Sequence, residues 1–524
     1  MTRSAHRAVA RLLTTKTPDP ARPGARGKVR SPPAPSPADE PTWTPAPGEV
    51  GIRVRMYRVG FGDFFLLSIL DATGRPQHVV IDCGVFKGTS QTGDIRSIEA
   101  AVANLIDTTA KGVSLIVMTH RHADHIAGFA RCQEDFKSLH VQAVWMPIWE
   151  SEYEPTAVKF QAELTRTAQA LRRSLTGLAR ATDEQNTARK YMENATGDTG
   201  TGSNAQALAL LKQGFPGVTP RYYKGGDKAE LPKALADAGL SAVILGPPPI
   251  DDIPLMKLMD LQKGVGQYLA PGGDIEPPLD PFGAAWEVDP SQPPTNSDQE
   301  RYASDSFREW IPGPRKYLPS VTPQQAADAR EKMRAALKSS LPAAEITAAK
   351  QLNSFLNNQS LVILFSFKGK KLLFVGDAQA GNWEHWLFGT DTPDNKPNGS
   401  PIASAQQILT SLDFYKVGHH GSGNATPRVA ADAMGTSAHR FAAMCSTQAG
   451  VYGTEDPDDP AKGTEVPRGP LLQQLASKSA FVRSDQIDIT VGGRKIPAAS
   501  PEPLPGAASG FRFVPGPLWV DCYL

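Results

Sequence analysis

"VSLIVMTHRHADHIAG", residues 113–128, places three of the chain's ten histidines within six positions, directly after an apolar run. At that histidine frequency the pattern His-x-His-x-Asp-His arises by chance in roughly one such chain in several thousand, so a chemical reason is the better explanation. The apolar run predicts a buried strand that ends on the first histidine. His120 and His122 are two apart, so on an extended segment their side chains leave on the same side and can converge on one cation. Asp124 and His125 follow where the chain turns into a helix and can face a second cation. Neutral imidazoles with a carboxylate suit zinc, iron or manganese better than calcium or magnesium. A two-metal site accounts for the cluster most simply.

Working outward, "GIRVRMYRVGFGDFFLLSIL" from residue 51 and "QHVVIDCG" predict short strands, residues 95–110 a helix, and "VQAVWMPIWE" another strand. The pattern resumes with "NNQSLVILFSFKGKKLLFVGDA" (357–378), a hairpin about a Lys-Gly-Lys turn. "LDFYKVGHHGSGNAT" (412–426) then gives a strand that again ends on histidines, and "RFAAMCST", "PLLQQLASK" and "QIDITVGG" add strand, helix and strand. Strands alternating with helices predict a layered α/β architecture. Two stretches, about 150–217 and 250–354, read as insertions: the first a long helical segment, the second Pro-rich and then Ala- and Lys-rich near 323–341. Residues 1–49 read as an Arg-, Pro- and Ala-rich tail, with an organellar transit peptide as the other reading, and 496–524 as a C-terminal extension.

Composition narrows the function classes. The 524 residues carry 55 basic and 54 acidic side chains, a formal charge of +1, which gives no bulk electrostatic reason to bind nucleic acid. Cys83, Cys132, Cys445 and Cys522 lie far apart, without the spacing of a disulfide scaffold or zinc knuckle, which predicts a reducing, cytoplasmic setting. No apolar run is long enough for a membrane-spanning helix. Two later strand ends offer further ligands. Asp377 follows "LLFV", and His419 and His420 follow "YKVG". Alone, the Gly-Asp is an ordinary turn and the His pair is ambiguous; beside the 120–125 cluster both become ligand candidates. His78, His140, His385 and His439 read as packing or surface histidines, and Trp145, Trp149, Trp383 and Trp386 as packing groups.

Taken together, these motifs resemble the metallo-β-lactamase superfamily, and within it the metal-binding domain of bacterial competence proteins that handle DNA during uptake, together with their soluble relatives. The carriers are "VGFGDFFLL", "VVIDCG", "THRHADH", "NNQSLVILF", "LLFVGDA" and "YKVGHHGS", across about 51–149, 218–249 and 355–492. The resemblance implies an αββα sandwich with two insertions in a domain spanning 50–495. It also implies His120 and His122 at a first metal site, Asp124 and His125 at a second, and Asp377 bridging. One of His419 and His420 would complete the second site; His419 is taken as the ligand and His420 as a group behind the ligands or a substrate contact. Asp82 would orient ligands from behind, and Asp63 would do so or only shape its turn. Many members supply another histidine to the first site; here "NNQS" stands instead, with Asn358 taken as the oxygen donor to metal, water or substrate. Asp124, Asn358 and His420 are thus the catalytic candidates. Zinc is the first expectation for the two divalent ions, with manganese beside it. The implied activity is metal-dependent hydrolysis, of a phosphodiester such as DNA before a small ester, lactone or cyclic nucleotide. A metal-stabilised binding protein is the alternative from another class. Lys416 and Arg428 are candidate phosphate contacts at the mouth.

Overall fold

A computed structural model describes residues 44–86, 97–176, 183–196, 204–251, 349–350, 352–389, 401–436, 439–453, 455, 465–491, 494–496, 502–506 and 509–524. Most of the tail and of the second insertion, including the helix expected at 323–341, lies outside them.

The chain is mixed α/β and builds two large mixed sheets. Strands β1 (Ile52–Tyr57), β2 (Phe64–Leu70), β3 (Pro76–Cys83), β4 (Leu115–Val117), β5 (Val144–Pro147) and β6 (Arg221–Tyr223) belong to the first. The second contains β7 (Ser241–Gly246), β8 (Val362–Phe367), β9 (Lys370–Phe374), β10 (Phe414–Lys416), β11 (Phe441–Cys445) and β12 (Ser479–Arg483). The chain then returns to the first sheet with β13 (Arg512–Pro515) and β14 (Trp519–Tyr523), giving the orders β13-β14-β1-β2-β3-β4-β5-β6 and β12-β11-β10-β9-β8-β7. The stretch 496–524 is therefore not a mere extension: β14 pairs antiparallel with β1 along Arg53–Tyr57.

Period-two patterning explains the layers. In β1, Ile52, Val54 and Met56 face a core shared with Phe365, Phe374 and Met444 of the second sheet, whereas Tyr57 faces a second core beneath helices. That second core is covered by α1 (Ile98–Thr109) and α2 (Ala123–Arg131). The first insertion forms α3 (Pro155–Thr176), α4 (Asp183–Thr196) and α5 (Asn204–Gln213), and Ala207, Leu210 and Leu211 of α5 join the same core. The far face of the second sheet packs on α6 (Ala380–Phe388), α7 (Ala403–Thr410), α8 (Arg428–Ala433) and α9 (Gly469–Lys478). The β8–β9 hairpin turns through Lys368 and Gly369, both at positive φ (46° and 81°), as a two-residue turn between twisted strands requires.

Strand direction positions the site. β3, β4 and β5 run parallel in one sheet, and β9, β10, β11 and β12 in the other. Asp82 lies one residue from the end of β3, the histidine cluster follows β4, Asp377 follows β9 and the His pair follows β10. Polar groups thus gather at the carboxyl ends of parallel strands, where open α/β sheets place their ligands.

Candidate metal centre

The turn "GFGD" brings the two motifs of the first sheet together. The Asp63 backbone N–H donates to Asp124 O (2.8 Å), and the Gly84 N–H donates to Asp63 O (2.9 Å). Only glycine fits at 62 and 84: a Cβ on Gly62 would lie 2.5 Å from Gly84 O, and one on Gly84 2.1 Å from the Asp124 carbonyl carbon. The first turn of α2 therefore sits directly on the end of β3.

Ligating atoms of Asp124, His125, Asp377 and His420 all lie within 4.8 Å of one another, and all four residues are buried. His125 Nε2 is 3.0 Å from Asp377 Oδ1; His420 Nε2 is 3.3 Å from Asp124 Oδ2 and 3.7 Å from Asp377 Oδ2. On the other side of Asp377, His120 Nε2 is 4.0 Å from Oδ2 and 3.0 Å from His122 Nδ1. Asp377 thus faces both groups of histidines.

The groups behind them fix the ring orientations. His125 Nδ1 donates to Asp82 Oδ2 (2.7 Å), which leaves Nε2 turned inward. Asp82, itself at φ 55°, also accepts from the Thr119 N–H (2.7 Å) and hydroxyl (2.6 Å). His420 Nδ1 donates to Ser446 O (2.9 Å), so its Nε2 also faces the centre. Asp63 is more than a turn former: it lies 3.7 Å from His125 Nδ1, 3.5 Å from His420 Nδ1, and in an ion pair with Lys416.

Three expectations are corrected here. His420, not His419, stands with Asp124, His125 and Asp377; His419 is 18 % exposed, and its Nε2 is 3.6 Å from Asp377 Oδ2. Asn358 is turned away, its Oδ1 accepting the Asn382 N–H (3.1 Å), while Asn357 Nδ2 approaches His419 Nε2 (3.4 Å). Lys416 is also not at a mouth: it is buried against Asp63 and donates to Gly376 O (3.0 Å). Arg428 is exposed and 3.6 Å from Asp432. Sequence reasoning also missed Asn194, whose Nδ2 donates to Asp124 Oδ1 (2.9 Å) and whose Oδ1 accepts the Asp124 N–H (3.1 Å). It lies in a polar helix with no motif to mark it. Of the other histidines and tryptophans, His78 bonds Ser68, His140 is exposed, and Trp145 lies against Tyr223.

The electrostatics divide the histidines. Burial holds His120 well below the ordinary histidine value, aided by the charges of His125 and His122, and drives His122 down to about 4. Burial also lowers His419. For His125 burial works against charge, but Asp377, Asp82 and Asp63 outweigh it and lift the pKa well above the ordinary value; Asp377, Asp63 and Asp124 outweigh burial at His420 and raise its pKa. Burial would raise Asp124, yet the His420 hydrogen bond and the His125 charge hold it at about 2.

The buried carboxylates and imidazoles of this centre could hold a metal ion. Both carboxylate oxygens of Asp377, and Nε2 of His122, His125 and His420, are buried without a well-directed hydrogen bond. Each such group costs about 1–3 kcal/mol if left unsatisfied, and cations at the centre would satisfy those turned toward it together. The donor set, imidazole nitrogen plus carboxylate oxygen, suits a first-row transition metal better than calcium or magnesium. No protein-family model matches the chain, and no curated protein does.

Proposed function

We propose that this chain is a metal-dependent hydrolase of phosphodiesters and a member of the metallo-β-lactamase superfamily, with its two sheets and outer helices forming the αββα sandwich of that group. The observation that carries the proposal is the convergence of Asp124, His125, Asp377 and His420, from three separate strand ends, within 4.8 Å. His120, His122 and Asp377 would hold one divalent cation, and Asp124, His125, His420 and Asp377 the other. Such a pair lowers the pKa of water toward about 7 and offsets charge developing on the substrate.

The protein's own residues do the rest. Asp82 and Ser446 keep the Nδ1 protons of His125 and His420 in place, so each Nε2 presents a lone pair inward. Asp124 Oδ1 is held by Asn194, which leaves Oδ2, beside His420 Nε2, as the oxygen to ligate the cation. His419 is the most exposed histidine of the centre and the first to meet a substrate arriving from outside. Phosphodiester substrates are favoured by the competence-type motif set.

A second reading, a small phosphodiester, cyclic nucleotide or ester in place of DNA, is favoured by one observation: the centre is deeply buried, and Lys416 and Arg428 form no basic groove with it. Among the described residues no helix is long and apolar enough to cross a membrane.

Metal content of chelator-free protein, beside a His122→Ala/Asp377→Ala variant, tests the centre. Zinc- and manganese-supplemented cleavage of single- and double-stranded DNA and of bis(p-nitrophenyl) phosphate then tests the substrate. Two ions per chain and DNA cleavage that the variant loses are expected. Cleavage of the small diester alone selects the second reading, and equal metal in wild type and variant overturns the proposal, leaving a binding protein.

A further inference from the structure

Helix α4 reaches the centre from outside both sheets. Asn194, near its end, meets Asp124 with both polar atoms of its side chain: Nδ2 donates to Oδ1 (2.9 Å), and Oδ1 accepts the Asp124 backbone N–H (3.1 Å). A side-chain amide carries a donor and an acceptor on adjacent atoms of one plane, so the pair closes a ring that fixes the rotation of the carboxylate. With Oδ1 so held, Oδ2 is the oxygen 3.3 Å from His420 Nε2. Both residues are buried, which removes water as a competitor for these bonds.

The helix is itself tied to both halves of the centre. Asn204 Nδ2 donates to the carbonyls of Asn194 (3.0 Å), Ala195 (3.2 Å) and Arg121 (2.7 Å), the last lying between His120 and His122. Earlier in the helix, Lys190 Nζ donates to Val451 O (2.8 Å), and Tyr191 stacks on Tyr452 at 5.9 Å and 10°. Tyr452 packs on Phe61 (5.1 Å), and Phe61 on the ring of His420 (4.3 Å).

We infer that Asn194 is a positioning residue for Asp124, and that the first insertion is thereby part of the metal centre. The inference rests on the metal-centre reading above and adds to it a residue that selects which Asp124 oxygen ligates. Partners behind a ligand of this kind alter metal affinity by about 10- to 100-fold when removed.

The test titrates metal-stripped full-length protein with Zn2+ against a fluorescent chelator, for wild type, Asn194→Ala, Asn194→Asp and Lys190→Ala. Asn194→Asp keeps the size and the acceptor but loses the donor and sets a like charge against Asp124. Lys190→Ala loosens the same helix without touching Asp124. The expected result is an affinity about 10- to 100-fold weaker for one of the two ions in both Asn194 variants, with the other ion unchanged and Lys190→Ala equal to wild type. Asn194 variants that keep both wild-type affinities overturn the inference, as does an equal loss in Lys190→Ala, which would mark a role in folding only. Wild-type protein that takes up no Zn2+ overturns the metal-centre reading and this inference with it, a result distinct from the other two.

Discussion

His419 and His420 are both in the left-handed region, at φ 46° and 53°, a conformation uncommon outside glycine and costly enough that the surrounding structure must hold it. That local geometry sends the two rings to different places, His420 inward onto Ser446 O and His419 to the rim beside Asn357. His420→Ala should therefore lose one ion per chain by metal analysis, whereas His419→Ala should keep both and lose turnover; equal ion loss in the two variants would contradict the assignment. The same geometry explains what sequence could show. The positions of His120, His122, Asp124, His125 and Asp377 at strand ends and a helix start can be read from the sequence, because such segments dictate where side chains go. The directions of the His pair cannot, since alternation along a strand does not apply to left-handed residues. Asn357 and Asn358 sit at the end of a helical stretch, where neighbours leave in different directions, and only tertiary packing on Asn382 decides between them.

Among the elements, β14 shows where local reading fails. "LWVDCY" follows a Pro- and Gly-rich stretch and offers five strand residues whose partner, β1, lies at the opposite end of the domain; periodicity along the chain carries no trace of such a pairing. The pairing is fixed by side chains as well as backbone. Arg55 forms a bidentate bond to Asp521 (2.8 and 2.9 Å), donates to Asn104 of α1 (2.9 Å), and lies 3.9 Å from the Trp519 ring centroid. Both partners are fully buried, so removing one strands a charge in the interior. Asp521→Ala should destabilise the protein by about 3–5 kcal/mol in urea unfolding. A loss under about 1 kcal/mol, the range of a surface pair, would mean that β14 does not dock as described. The strands of β1 to β4 and β8 to β11, by contrast, were legible because each shows its buried face within a few residues.

At the scale of the whole molecule, five histidines in one buried centre couple folding to protons, and the two directions of their shifts give the metal-free chain a stability optimum. His120, His122 and His419 are lowered. Below the unfolded value of about 6.5, the unfolded chain takes up protons that these residues refuse when folded. Their contribution is thus complete above about pH 6.5 and is lost as pH falls through the folded values, about 4 for His122. His125 and His420 are raised. Their contribution is complete below about pH 6.5, where they carry a proton in both states, and is lost as pH rises through the folded values because the unfolded chain releases protons that the folded one keeps. The thermal midpoint in chelator should therefore peak near about pH 6.5 and fall on both sides. Saturating Zn2+ replaces the protons of His125 and His420, since ligation requires neutral imidazole, and so should raise the midpoint and abolish the alkaline fall while leaving the acid one. Scanning calorimetry from about pH 4.5 to 8.5, with chelator and with Zn2+, separates the cases: a chelated midpoint that climbs steadily through pH 8 would show that the carboxylates around His125 and His420 do not hold their protons, and with that the buried charge arrangement around Asp377 would be wrong.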